Sequence, residues 1–171
     1  PLPTSSAVPP PRPTAITDLP PPVSTSPAAL AAYAGALQAM RDANWDRAET
    51  RLREAVSADP TFAMAHLRLA MTLGSHPVEA RASHARALEG RKDINVRDRR
   101  LRAALEPQLR DPQDTRAANE AYCKASEAYP LDAELVVLCA VSGSDLERSI
   151  ALYRRAVELD PNRAEYHLYV A

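Results

Sequence analysis

From Ala28 onward, apolar residues recur at helical spacing; before Ala28 they follow no regular spacing. Leu30, Tyr33, Leu37 and Met40 are separated by three or four positions within an Ala-rich stretch, which predicts an amphipathic helix. Ser26-Pro27 supplies its N-cap and a proline at the first helical position. After a turn at Asp42-Ala43-Asn44, the residues Trp45, Ala48, Leu52, Ala55 and Val56 share one face of a second helix, which Asp59-Pro60 stops. A third helix is predicted from Ala63 to Leu73, ending at Gly74. Further on, Asn95 with Asp98 reads as an N-cap and a carboxylate in the first turn. That helix continues through Leu101, Ala104 and Leu105 to Pro107, which should end or kink it.

Composition separates the first 27 residues from the rest. Ten of the 16 prolines fall there, among Ser, Thr and Ala with almost no charge. Repeated proline fixes φ and removes donors, so residues 1–26 are expected to be extended, disordered and mobile. Pro10-Pro11-Arg12-Pro13 contains a PxxP spacing, for which a linker role is favoured over recognition by an SH3-like groove. Beyond that point the chain holds most of its 33 alanines, with one Phe and one Trp in all, so its helices must pack through small contacts.

Several function classes drop out. The four glycines, Gly35, Gly74, Gly90 and Gly143, lie far apart, so no Gly-rich phosphate loop can be written in this segment. A net charge of −1 makes the whole chain a poor electrostatic partner for nucleic acid or anionic membrane. The longest uncharged stretch, 19–40, is broken by Pro20, Pro21, Pro22 and Pro27 and leaves too few helical residues to span a bilayer. The chain lacks an initiating Met and a signal peptide, and reads as a soluble piece of something longer. Nineteen of the 21 basic residues are Arg; with Ala and Pro this points to a GC-rich bacterial genome.

Candidate chemistry is sparse. His66 and His84 fall on two helices of one hairpin and could meet, but no third ligand and no HxxxH or CxxC spacing accompanies them. Neither a metal nor a cofactor is therefore expected. Cys123 and Cys139 are expected to be free thiols. Lys124 beside Cys123 could lower its pKa, yet no base or oxyanion site can be assigned. Residues 91–110 carry seven basic side chains against three acidic ones. The run has no interleaved aromatics, so a solvated helix face is favoured over a nucleic-acid site.

The helical segments carry a resemblance. Trp45-Asp46-Arg47-Ala48 with Leu52, Ala55-Val56 and Asp59-Pro60, then Ala63 to Ala70, resemble the second helix of one tetratricopeptide repeat and the first of the next. The pattern returns at Ala80, His84 and Ala87-Leu88, then at Ala118, Tyr122, Ala125 and Pro130. It ends at Ser149, Tyr153 and Ala156-Val157-Glu158-Leu159-Asp160-Pro161-Asn162. Ala48, Ala80, Ala118 and Ser149 stand 32, 38 and 31 residues apart, scattered about the family's 34. The resemblance implies an all-α, tetratricopeptide-like α-solenoid. It comprises about four antiparallel hairpins over residues 28–171, the last repeat truncated, behind a linker at 1–27. Small residues such as Ala48, Ala55 and Ala156 would mark helix crossings, and Trp45, Leu52, Leu69, Tyr122 and Tyr153 would fill between hairpins. In this frame Asp132 caps a buried helix over 135–141, a run that periodicity alone also allows as a strand.

The resemblance also implies a peptide-binding groove lined by the first helices of the hairpins. Its positions fall on Met64, Leu67, Arg68 and Met71, on Glu134, Val137 and Val141, and on Arg99 and Arg102 between them. The Lys and Asn clamp with which some members hold a C-terminal carboxylate is absent, because Met, Leu, Glu and Val occupy those places. Asp18-Leu19-Pro20, the run from Ala31 to Ala70, and Ile94-Asn95-Val96-Arg97-Asp98-Arg99 resemble the region beyond the kinase domain in bacterial serine/threonine protein kinases. That likeness implies a non-catalytic docking arm on a parent that is often membrane-anchored, with a protein or peptide as partner. The truncated helix from Ala164, with Tyr166, Leu168, Tyr169 and Val170, is expected to fray or self-associate.

Overall fold

Asx and Ser residues set the helix starts. In the computed structural model, which describes residues 12–168, Ser26 accepts the amide of Ala29 at 3.2 Å and begins α1 (Pro27–Arg41). Asn44 accepts from Arg47 and begins α2 (Trp45–Ala58). Without side-chain caps follow α3 (Ala63–Thr72) and α4 (Pro77–Glu89). Asn95, Asp114, Asp132 and Asp145 then cap α5 (Val96–Leu105), α6 (Thr115–Ala128), α7 (Ala133–Val141) and α8 (Leu146–Leu159) in the same way. Each such bond satisfies an amide that the helix itself leaves unpaired. The last element is α9 (Ala164–Leu168). Pro107 follows the end of α5 and sits in a single 3-10 turn, Glu106–Leu109.

Consecutive helices pack as hairpins, α1 on α2, α3 on α4, α5 on α6 and α7 on α8, so the fold is an all-α, tetratricopeptide-like solenoid. The run 135–141 is helical, as its Asp132 cap implies, and is buried apart from the half-buried Leu138 and the exposed Val141. Small residues mark the crossings: Ala48, Ala55, Ala87, Ala118 and Ala156 are fully buried. Ala55→Arg or Ala156→Arg should therefore cost at least ~3 kcal/mol, through overpacking and a buried unpaired charge. A melting temperature within a degree of the parent's would refute the assigned register.

Leu52, Leu69, Tyr122 and Tyr153 fill the space between helices as expected. Trp45 does not. It stands at the first position of α2 and keeps 42% of its surface in solvent. The core has two parts, one built from α1 through α6 with Ile16 and Leu135, and one from the other face of α7, α8 and Tyr166 of α9. The expectation of an exposed Tyr166 is corrected, since the ring is buried in the second part and Arg163 stacks 4.7 Å from its centroid. The side chain of Leu168, and Tyr169 and Val170, lie outside the described residues.

Two long-range features alter the picture further. Arg41, at the end of α1, reaches the buried Asp160 after α8 at 2.5 Å, so the first and last hairpins meet. Residues 12–26 lie on the helices instead of extending from them, contrary to the mobile segment expected from proline content. Ala15 and Ile16 are buried at 4% and 2% exposure. An extended backbone leaves its donors and acceptors free to pair elsewhere, and two apolar side chains anchor it. Residues 1–11, with Pro10 and Pro11 of the PxxP spacing, lie outside the described residues.

Candidate functional site

The first helices of the hairpins converge on one inner face. There the guanidinium of Arg68 on α3 makes a two-pronged pair with the carboxylate of Glu134 on α7. Arg97 on α5 donates to Glu134 at 2.6 Å, to both oxygens of Asp132 at 2.9 and 3.0 Å, and to Asp98 at 2.6 Å. Tyr33 of α1 feels the charge of the same Arg68. Burial by itself would raise the Glu134 carboxyl, but Arg68 and Arg97 outweigh it and hold the group well below the usual carboxylate range. Burial pushes the Tyr33 phenol up, so it stays neutral.

The segment Thr14–Ser26 crosses the edge of this face as a strap. Thr14 donates its amide to the carbonyl of Leu131 at 2.8 Å and accepts from the amide of Ala133 at 3.2 Å, a parallel bridge to the α6–α7 turn. Ile16–Asp18 forms one 3-10 turn, closed by the Asp18 carboxylate on the amide of Ala15. Arg41 donates to the Thr17 hydroxyl at 3.0 Å. The strap then runs through Leu19 and three prolines to Ser24, whose hydroxyl donates to Asp59 in the α2–α3 turn at 2.6 Å. That bond and those from Thr61 hold the Asp59 carboxyl below its ordinary value. A cavity of about 660 Å³ opens on one side of the prolines, walled by Met64, Val96, Arg97, Tyr129 and Leu131. A second, of about 410 Å³, opens on the other side against Leu30, Tyr33, Leu37 and again Met64.

Met64 borders both cavities, though at 3% exposure it is itself part of the core. Leu67 and Val137 are buried in the core, and Arg68 and Glu134 neutralise each other instead of facing a partner. The inward curvature that lets Arg68 of α3 reach Glu134 of α7 accounts for this pairing. Met71 is half-buried beside a different cavity near Gly74 and Leu105, and Arg99 is exposed. Arg102 is half-buried, and its carbonyl lies 3.4 Å from His84 Nε2. Val141 points to solvent at 53% exposure.

His66 and His84 do not form a pair. His66 Nε2 bonds the Pro60 carbonyl at 2.9 Å, and burial lowers the pKa of His84. Among the described residues no group of three His, Cys, Asp or Glu could hold a metal ion. Cys123 and Cys139 are not free thiols; they form a disulfide between α6 and α7, with Cα atoms 4.6 Å apart. In the basic run, Arg97 turns inward, while the exposed Arg110 pairs with Glu106 at 3.0 Å. Sequence reasoning missed Arg41, Asp59 and Thr14 as site residues. Asp59 and Asp132 were visible only as a helix stop and a helix cap.

Successive antiparallel helix hairpins make this an all-α array of tetratricopeptide-like fold. No protein-family model and no curated protein sequence matches the chain. Among solved structures it is similar to MamA residues 41 to the end from Desulfovibrio magneticus RS-1, at 19% identity and a TM-score of 0.42. That match covers 86% of this chain and 84% of that one. It is similar to the MamA RS-1 ArsTM double mutant at the same identity and TM-score, over 86% of this chain and 83% of the other. No helix among the described residues is long and apolar enough to cross a membrane.

Proposed function

We propose that the chain is a non-catalytic protein-interaction module that binds an extended protein segment along the edge of its inner face. The observation that carries this reading is the parallel bridge of Thr14 to Leu131 and Ala133. It shows an extended backbone held by main-chain bonds, with apolar cavities on either side for side chains. The resemblance of Asp18-Leu19-Pro20, Ala31–Ala70 and Ile94–Arg99 supports a finer assignment, the repeat arm of a bacterial serine/threonine protein kinase or similar signalling protein. In that setting the parent chain can carry a membrane anchor, and this segment reaches a protein partner.

Selecting a displayed library of ten-residue peptides against the full chain tests the groove. Val96→Asp changes an exposed wall residue at the first position of α5, where an acid suits the helix. Selected peptides should bind this variant at least tenfold more weakly and Arg116→Glu, on an exposed side chain of α6, unchanged. No enrichment, or binding indifferent to Val96→Asp, would overturn the reading.

A further inference from the structure

We infer that Thr14–Val23 is a tethered ligand of the groove, and that the partner is a protein segment of the same chemistry that must displace it. The inference rests on the groove being a peptide site. The required chemistry can be read from the strap's own contacts. A backbone amide and carbonyl face Leu131 and Ala133 at the position of Thr14. A small residue and a β-branched aliphatic follow, Ala15 and Ile16, both buried. Next comes a hydroxyl within reach of Arg41, then an acid that closes the turn on the amide of Ala15. An aliphatic followed by proline completes the set, with Leu19 packed on the main core.

The strap is built to be held and to be released. Its bonds to the helices lie at its two ends, at Thr14 and Thr17 and again at Ser24. Between them stand Pro20, Pro21 and Pro22, which have no amide to donate. Cavities flank this stretch on both sides, so an incoming segment has apolar surface to occupy before the strap leaves. Ser26 caps α1 directly after the strap, so the tether is short. A short tether gives an effective concentration on the order of millimolar. For an intrinsic Kd of roughly 10–100 μM, that suppresses apparent binding by a factor of roughly 10 to 100.

The test uses a fluorescein-labelled peptide with the sequence of residues 12–25, read by anisotropy against the full chain and against Ile16→Asp/Leu19→Asp. Circular dichroism monitors helix content. The loosened chain should bind the peptide at least tenfold more tightly than the parent, and a peptide carrying the same two substitutions should bind neither. Should that variant lose helix, Thr14→Pro removes the bond to Leu131 without touching a buried side chain, and should raise affinity in the same direction. Equal affinity for parent and loosened chain overturns the tethered ligand but leaves the groove a peptide site. Failure of a fully helical, loosened chain to bind the peptide overturns it too. In that case selected peptides and their sensitivity to Val96→Asp still decide the groove independently.

Discussion

Glu134→Ala should destabilise the chain by about 3–5 kcal/mol, the cost of leaving the buried Arg68 without its carboxylate, and Arg68→Ala by less, because Arg97 still pairs with Glu134. Both residues are nearly inaccessible, and neither can recover water without opening the inner face. Urea unfolding of the two single variants and of Arg68→Met/Glu134→Leu separates a lost pair from an orphaned charge. The double variant should be much closer to the parent than Glu134→Ala, because both ions leave together. Acid should act through the same carboxylate. Its folded pKa lies below the unfolded value of about 4.3, so its contribution is present above that value and fades as pH falls toward the folded one. The parent should therefore lose stability below about pH 4 more steeply than the double variant. Parallel acid profiles would show that Glu134 titrates normally in the folded chain.

Local order was legible in the chain, and long-range order was not. Ser26-Pro27, Asp42-Ala43-Asn44, Asp59-Pro60, Asn95 with Asp98, and Pro107 placed helix ends because capping and proline effects act within a turn. The buried alanines were readable because a close helix crossing tolerates little else. Which inner-face side chains meet depends on how steeply successive hairpins rotate, and small turn-length differences accumulate over four of them. Glu134 and Arg68, 66 residues apart, were thus assigned as groove surface when they are each other's partners. Proline content led to the expectation of an extended, mobile linker. It carried no information on docking, which depends on Ala15 and Ile16 and on free backbone groups at Leu131 and Ala133. The two cysteines lacked any framework spacing, and only the α6–α7 crossing brings them together.

That disulfide carries the second large effect. Reduction, or Cys123→Ala/Cys139→Ala, should cost about 3 kcal/mol, the loop-closure contribution for roughly 15 residues. For a chain of this size that lowers the melting temperature by about 6–12 °C. The loss should fall unevenly. The bridge joins α6, which belongs to the main core, to α7, most of whose buried apolar residues belong to the second. In a repeat array each unit draws stability from its neighbours, so cutting the tie at one boundary weakens chiefly the side with the smaller core. Asn119 continues to donate to the Cys139 carbonyl at 3.1 Å and to Ser142 at 3.0 Å, and the Arg68 and Arg97 pairs still cross to Glu134. The helices should consequently stay assembled at room temperature while amides of α7 and α8 exchange faster than those of α1 and α2. Both sulfurs are buried, so reductant should act slowly until mild denaturant opens that end. Equal acceleration in all four hairpins would mean that the array opens as a single unit, and an unchanged melting temperature would mean that the bridge constrains nothing the packing has not already fixed.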